Sequence, residues 1–162
     1  LESGGWVAAR TDLDVPRIAR DAFEPLRDAA EAAGCSFEVS GSGRAVADPA
    51  GLVQVFRNLY ENALRHTDRG GSISVSVRDE PEMVHVQVSD DGEGIPLKAL
   101  PRIFERFYRA DSSRARDQGG TGLGLAIVRH LVSSMGGSVW ADSELGVGTT
   151  VHLTLPRAEG GP

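Results

Sequence analysis

Apolar residues recur along this chain with two periods, one near 3.6 residues and one of 2, and the switches between them lay out a series of helices and strands. Ile18, Ala22, Leu26 and Ala29 share a helical face, with Asp14 placed to cap its start, Pro16 in its first turn and Gly34 as its stop. Pro25 stands inside that stretch. It lacks a backbone donor and crowds the turn before it, so it is expected to kink or split the helix. Short strands are predicted at Ser36 to Ser40 and around Ala45 to Ala47, after which Asp48 and Pro49 open a second helix. Leu52, Phe56, Leu59 and Ala63 mark the buried face of that helix. Ile73, Val75 and Val77 alternate with serines, and Val84, Val86 and Val88 alternate with His85 and Gln87, which predicts two half-buried strands paired as a hairpin. After an irregular stretch from Pro96 to Thr121, Leu123, Ile127, Leu131 and Met135 predict a third helix closed by Gly136 and Gly137. Strands around Val139 to Ala141 and through Val151, Leu153 and Leu155 complete the series.

One-sided alternation interrupted by three helices implies an α/β two-layer sandwich, a mixed sheet with helices over one face. A chain of 162 residues supports one domain with its own core. Residues 1–14 carry no sustained period and contain Gly4-Gly5, so they are read as a connector, 15–157 as the domain and 158–162 as a C-terminal tail. The connection from about residue 96 to 121 is long for a compact domain, and loops of that length commonly serve as lids.

Composition narrows the function more by exclusion than by assignment. A formal charge of -6 opposes binding to polyanions, so nucleic acid is not an expected partner. The single cysteine, Cys35, cannot form an internal disulfide and reads as a half-buried thiol before a strand. No apolar run reaches the roughly 18 to 20 residues of a membrane helix, and the start lacks the order of a signal peptide, so any anchor is expected outside this chain.

Three groups of residues carry chemistry. Asn58 and Asn62, four apart on the second helix, project from one face, and their amide oxygens suit a hard cation such as Mg²⁺. An isolated pair of asparagines equally serves to cap or bridge on a solvated face. Asp90 ends a strand and is followed by Gly92 and Gly94, which permit positive φ and close approach of a ligand; the same string also makes an ordinary turn. Gly119, Gly120, Gly122 and Gly124 lead into the third helix, where free backbone N–H groups can hold phosphate, although glycines there also serve plain packing.

In order along the chain, Asn58-Leu-Tyr-Glu-Asn62-Ala, Asp90-Asp-Gly-Glu-Gly94-Ile95, Phe104-Glu-Arg-Phe-Tyr-Arg109, Gly120-Thr121-Gly122-Leu123-Gly124-Leu125 and Gly146-Val-Gly-Thr149 resemble the five boxes of the sensor histidine kinase catalytic domain. The pattern is phosphate-regulon-sensor-like. The resemblance spans about residues 15 to 157 and implies the fold shared with gyrase, mismatch-repair and heat-shock chaperone ATPases. In that Bergerat, or GHKL, fold a mainly antiparallel five-stranded sheet backs three helices, and ATP lies beneath a flexible lid. Carried over residue by residue, the resemblance makes Asp90 the acceptor for the adenine amine, Thr149 a supporting hydroxyl, and Asn58 and Asn62 the Mg²⁺ pair. Arg65 stands where the family usually has lysine near the phosphates, and His66 where an aromatic packs on adenine; a partly exposed histidine is an equal reading there. Gly92, Gly94, Ile95, Gly120, Thr121, Gly122, Leu123, Gly124 and Leu125 complete the nucleotide set. Arg109 resembles the lid arginine that reaches the transferred phosphate.

The resemblance also shapes the reaction expected. Hydrolases and serine kinases of this fold place a glutamate base where this chain has Asn58, so transfer to an external nucleophile is favoured over hydrolysis. The nucleophile implied is a histidine on a dimerisation domain, the product feeds a response regulator, and Leu1-Glu2-Ser3-Gly4 resembles the end of the dimerisation hairpin. None of His66, His85, His130 or His152 has the acidic neighbour of such a nucleophile; His85 and His152 read as solvent-facing strand residues. The domain alone is expected to be a cytoplasmic monomer, and the full kinase a membrane-anchored homodimer. A serine/threonine kinase or hydrolase of the same fold and a nucleotide sensor without catalysis are the competing readings.

Overall fold

The computed structural model describes residues 10–67, 70–106 and 124–158. Its main sheet has five strands, in the spatial order β2 (Ser36–Gly41), β4 (Ser72–Asp79), β5 (Met83–Asp90), β7 (Gly148–Pro156), β6 (Val139–Glu144). β2 runs parallel to β4 and every other pair is antiparallel, so the sheet is mixed and mainly antiparallel, as expected. The predicted hairpin is present: β4 and β5 pair from Ile73 opposite Asp90 to Asp79 opposite Val84. Period-2 patterning places Ile73, Val75, Val77, Val84, Val86, Val88, Val151, Leu153 and Leu155 on one buried face.

The helices cover that face. The first is α1 (Val15–Phe23), which gives way at Pro25 to a 3₁₀ turn, Glu24–Leu26, and resumes as α2 (Arg27–Ala32). The break predicted at Pro25 is thus a change of helix type. Asp14 caps α1 by accepting from the Arg17 N–H at 3.4 Å. The expected stripe is displaced, however: Val15, Ala19, Ala22 and Phe23 are buried, while Ile18 and Leu26 are only partly so and Ala29 is exposed. Steps of four residues drift by about 40° on a helix of period 3.6, and the sheet selects the adjacent line.

Helix α3 (Pro49–His66) starts at Asp48, whose carboxylate accepts from the Gly51 N–H at 2.9 Å, and buries Leu52, Phe56, Leu59 and Ala63 as expected. Its Tyr60 closes an aromatic cluster beneath α1. Phe23 and Phe37 stack with centroids 3.8 Å apart, Tyr60 meets both edge-on, and its hydroxyl donates to the Ala19 carbonyl at 2.8 Å. Helix α4 (Gly124–Ser134) buries Val128, Leu131 and Val132, and Met135 just past its end is buried as well, whereas Ile127 of the expected stripe is 40% exposed and Leu123 lies outside the described residues. The same four-residue drift explains the shift. Gly136 ends α4 with φ +87°, and Gly137 N–H returns to the Val132 carbonyl at 2.9 Å.

Residues 11–14, read from the sequence as the end of a connector, form β1 (Thr11–Asp14), paired antiparallel with β3 (Arg44–Ala47) in a two-stranded ribbon. Just before it, Arg10 donates to the carbonyls of Met135 at 3.2 Å and Ser134 at 3.4 Å, adding a cation where α4 leaves its last carbonyls unpaired. No helix among the described residues is long and apolar enough to cross a membrane.

Candidate functional site

Three elements converge at one end of the sheet: the last two turns of α3, the loop leaving β5 at Asp90, and the start of α4. Asp90 sits opposite Thr149 across β5 and β7, and its Oδ1 accepts from the Gly92 N–H at 2.9 Å. Burial pushes its carboxyl above the ordinary carboxylate range; the backbone N–H groups of Gly92 and Thr149 and the nearby His66 only partly oppose this. A half-buried carboxylate can accept more hydrogen bonds than the two these backbone groups supply, so it suits an exocyclic amine as a further donor.

The loop beyond Asp90 is held by protein backbone. A Cβ at Gly92 would fall 2.2 Å from the His66 carbonyl oxygen, so the α3 terminus rests directly on this glycine. Gly94 takes φ +81° and has the Glu144 carbonyl oxygen 2.3 Å from where a Cβ would lie. Of the two glycines that permit positive φ, only Gly94 uses it, and on the side where a Cβ would lie both are packed against neighbouring backbone. The clasp is completed by His66 Nδ1 and Glu93 Oε2 at 2.9 Å and by Glu93 N–H to the His66 carbonyl at 3.2 Å.

The two asparagines do different things. Asn58 is buried, its Oδ1 accepts from Gln54 Nε2 at 2.8 Å, and its Nδ2 donates to the Gly124 carbonyl at 3.4 Å, so its amide ties α3 to the first residue of α4. Among the described residues, Asn62 is held by a long contact, 3.4 Å, from Arg65 Nη2 to its Oδ1. Of the pair, the Asn62 oxygen is the better fit to a hard cation, which needs one or two protein oxygens and takes the rest from phosphate and water.

With this geometry of an acid at a strand end, an amide one turn from a helix end and a helix start tied to α3 through Asn58, residues 47–159 match the family described as Histidine kinase-, DNA gyrase B-, and HSP90-like ATPase. The chain belongs to that family. It is 46% identical over 110 residues to the sensor histidine kinase WalK of Bacillus subtilis (strain 168), covering 67% of this chain and 18% of that protein. The sensor protein kinase WalK of Staphylococcus aureus is 40% identical over 111 residues, 67% of this chain and 27% of the relative. This chain therefore spans about a quarter or less of the curated relatives it matches. Among solved structures, the mycobacterial sensor histidine kinase MprB superposes with a TM-score of 0.80 at 28% identity, over 92% of this chain and 98% of that one. Full-length ShkA in complex with AMPPNP superposes with a TM-score of 0.81 at 28% identity, over 96% of this chain and 32% of that one. The chain thus has the fold and family of a histidine kinase catalytic domain.

Within this ATPase family site, Asn58, Asn62, Arg65, His66, Asp90, Gly92, Gly94, Ile95, Gly124, Leu125 and Thr149 all fall in the described residues. Arg109, Gly120, Thr121, Gly122 and Leu123 lie outside them, as does Phe107. Of the predicted lid, residues 96–106 are described; they form a 3₁₀ turn at Leu100–Arg102 and bury Ile103 and Phe104, which anchor this stretch on the core.

Ser143 and Gln54 were not foreseen. Ser143 Oγ accepts from the Ile95 N–H at 2.7 Å, donates to the Gly148 carbonyl at 3.0 Å and meets Thr149 Oγ1 at 2.8 Å. Because its one hydrogen goes to Gly148, Thr149 is the donor between the two hydroxyls. Ser143 thus ties the glycine loop to β7. A serine in an alternating strand gives no sequence signal of that role. Gln54, by contrast, is legible in hindsight, since it stands one turn before Asn58 on the same face.

Proposed function

We propose that this domain binds Mg-ATP and transfers the γ-phosphoryl group to a histidine on the dimerisation domain of the same sensor kinase, from which a response regulator receives it. The observation that carries the reading is the half-buried Asp90 carboxylate facing Thr149, one loop away from the Asn62 amide. Adenine specificity follows from Asp90 accepting from an exocyclic amine. Guanine presents a carbonyl oxygen at the corresponding ring position, and two acceptors repel.

Asn62 would hold Mg²⁺, with Arg65 beside the phosphates and His66, steadied by Glu93, beside the base. Mg²⁺, when bound, offsets charge on the phosphate oxygens. The family resemblance adds Arg109 at the γ-phosphate and the glycines at 120, 122 and 124 as backbone donors. Asn58 supports transfer over hydrolysis: an amide engaged with Gln54 and Gly124 offers no base to a water molecule. In the transfer itself, a histidine ring nitrogen forms the new N–P bond while the bond from phosphorus to the ADP oxygen breaks. The full kinase is taken to be a homodimer anchored in the membrane, with this domain in the cytoplasm.

The test is to supply the domain and [γ-³²P]ATP with a separately produced dimerisation hairpin of its own kinase. Acid-labile label on the hairpin histidine, and none on the domain alone, is the expected result. Acid-stable phosphoserine, or fast ATP hydrolysis without the hairpin, would overturn the reading in favour of another enzyme of the same fold.

A further inference from the structure

The sheet face away from the helices carries a connected row of side chains that the nucleotide site does not use. Arg78 Nη2 on β4 lies 2.9 Å from His85 Nδ1 on β5, His85 Nε2 lies 3.0 Å from His152 Nδ1 on β7, and His152 Nε2 lies 2.8 Å from Asp142 Oδ2 on β6. The two ends dictate its direction. A guanidinium only donates and a carboxylate only accepts, so both imidazoles carry their hydrogen on Nε2, and that of His85 is shared with His152 Nδ1. Glu80 Oε2 stands 3.6 Å from His85 Nδ1 and 3.3 Å from Arg78 Nη2. Trp140 covers the row, parallel to the His152 ring at 5.1 Å and tilted against His85 at 5.5 Å. Although both histidines were read as solvent-facing, their side chains are only 11% and 12% exposed.

We propose that His85 Nε2 and His152 Nδ1 chelate one borderline divalent metal ion of the Ni²⁺, Cu²⁺ and Zn²⁺ group, which takes the place of the hydrogen they share. Metal–nitrogen bonds of about 2.0–2.1 Å meeting at about 90–109° separate two nitrogens by about 2.8–3.4 Å, and the 3.0 Å found here falls inside that interval. Each ring has to turn about its Cβ–Cγ bond so that the two lone pairs converge beside the line joining them. Ligating imidazoles need an acceptor for the hydrogen on their other nitrogen; here one acceptor is in place, Asp142, and a second, Glu80, stands 3.6 Å from its nitrogen. His152 Nε2 already donates to Asp142. His85 moves its hydrogen from Nε2 to Nδ1; Arg78 Nη2, 2.9 Å from that nitrogen, swings away to pair with Glu80 alone, and Glu80 Oε2 closes from 3.6 Å to accept the hydrogen. The hydrogen count is unchanged, two before and two after, and the two carboxylates offset the charge of the ion. Among the described residues no group of three or more His, Cys, Asp or Glu forms a metal cage, so the ion keeps water or an outside donor in its remaining positions. Imidazole pairs suit these ions and not hard Mg²⁺, which sets this site apart from the one near Asn62.

Trp140 lets the site report on itself. In the 162-residue chain carrying Trp6→Phe, Trp140 is the sole tryptophan. Cu²⁺ should quench its fluorescence saturably at one ion per chain, Zn²⁺ should reverse the quenching by competition, and electron paramagnetic resonance should show coupling to two imidazole nitrogens. His85→Gln and His152→Gln should each weaken Cu²⁺ binding at least about tenfold, and Asp142→Asn about tenfold, with far-UV circular dichroism unchanged. His130→Gln, on α4, should leave the titration as it was. A titration unaltered in the His85→Gln, His152→Gln double variant, or a Cu²⁺ spectrum with no imidazole coupling, would overturn the proposal.

Discussion

Asp90 illustrates how one side chain can oppose folding and serve binding. Burial raises its carboxyl, so the folded domain holds that proton more tightly than the unfolded chain does. Its contribution to stability is therefore full below the unfolded value and is lost as pH rises through the folded one. Asp90→Asn should accordingly keep or raise the Tm of the free domain at neutral pH, while weakening ADP binding by about 1.5–3 kcal/mol, roughly tenfold to somewhat over a hundredfold. In the parent, ADP affinity should fall as pH drops through the raised Asp90 value, because the ionised form is the acceptor; calorimetry across pH would show the fall, and the Asn variant should lack it. A matching fall in the variant would remove Asp90 from the adenine contact. Gly94 makes the complementary case for backbone: with φ +81° and the Glu144 carbonyl in the path of a Cβ, Gly94→Ala should cost about 1–3 kcal/mol in urea unfolding.

Among the elements, α3 carries most of the site, and its two asparagines divide the work. Asn62→Ala should flatten the Mg²⁺ dependence of ATP binding and leave metal-free ADP binding nearly as it was, since water must replace the lost amide oxygen. An unchanged Mg²⁺ titration would make Asn62 structural. Gln54→Ala should act differently, loosening the Asn58 bridge to Gly124 and so lowering protection of the α4 start in hydrogen exchange. The face that α3 buries was legible because its Leu52, Phe56, Leu59 and Ala63 sit at the centre of the sheet contact. The faces of α1 and α4 were less so: both carry apolar residues on adjacent lines, and only contact with the sheet selects among them.

For the whole molecule, one sheet joins the site to the core, and β5 and β7 supply both Asp90 with Thr149 and the central Val86 with Leu153. Leu153→Ala should cost about 2–5 kcal/mol and lower the Tm as one cooperative step, read identically by circular dichroism and by Trp140 fluorescence. Nucleotide should act in the opposite direction. ADP at a hundred times its Kd should add about 2.7 kcal/mol of stability, and GTP at the same concentration much less. Equal shifts in Tm by ATP and GTP would sink the adenine assignment.

By itself the sequence determined the order and kind of the elements from α1 onward, the break at Pro25, the hairpin from Ser72 to Asp90 and the motifs that mark the family, because period, proline and glycine act locally. It could not decide what partners those residues take at a distance. That Gly92 accommodates the His66 carbonyl, that Asn58 reaches Gly124, that Arg10 caps α4 and that His85 and His152 share a hydrogen beneath Trp140 all depend on strands and helices far apart in the chain being brought together. The β1 strand shows the same limit, since Thr11–Asp14 have no pattern of their own and become a strand only because β3 offers an edge to pair with. Local chemistry writes the elements, and the register between them, set by packing and hydrogen bonding across the sheet, makes the sites.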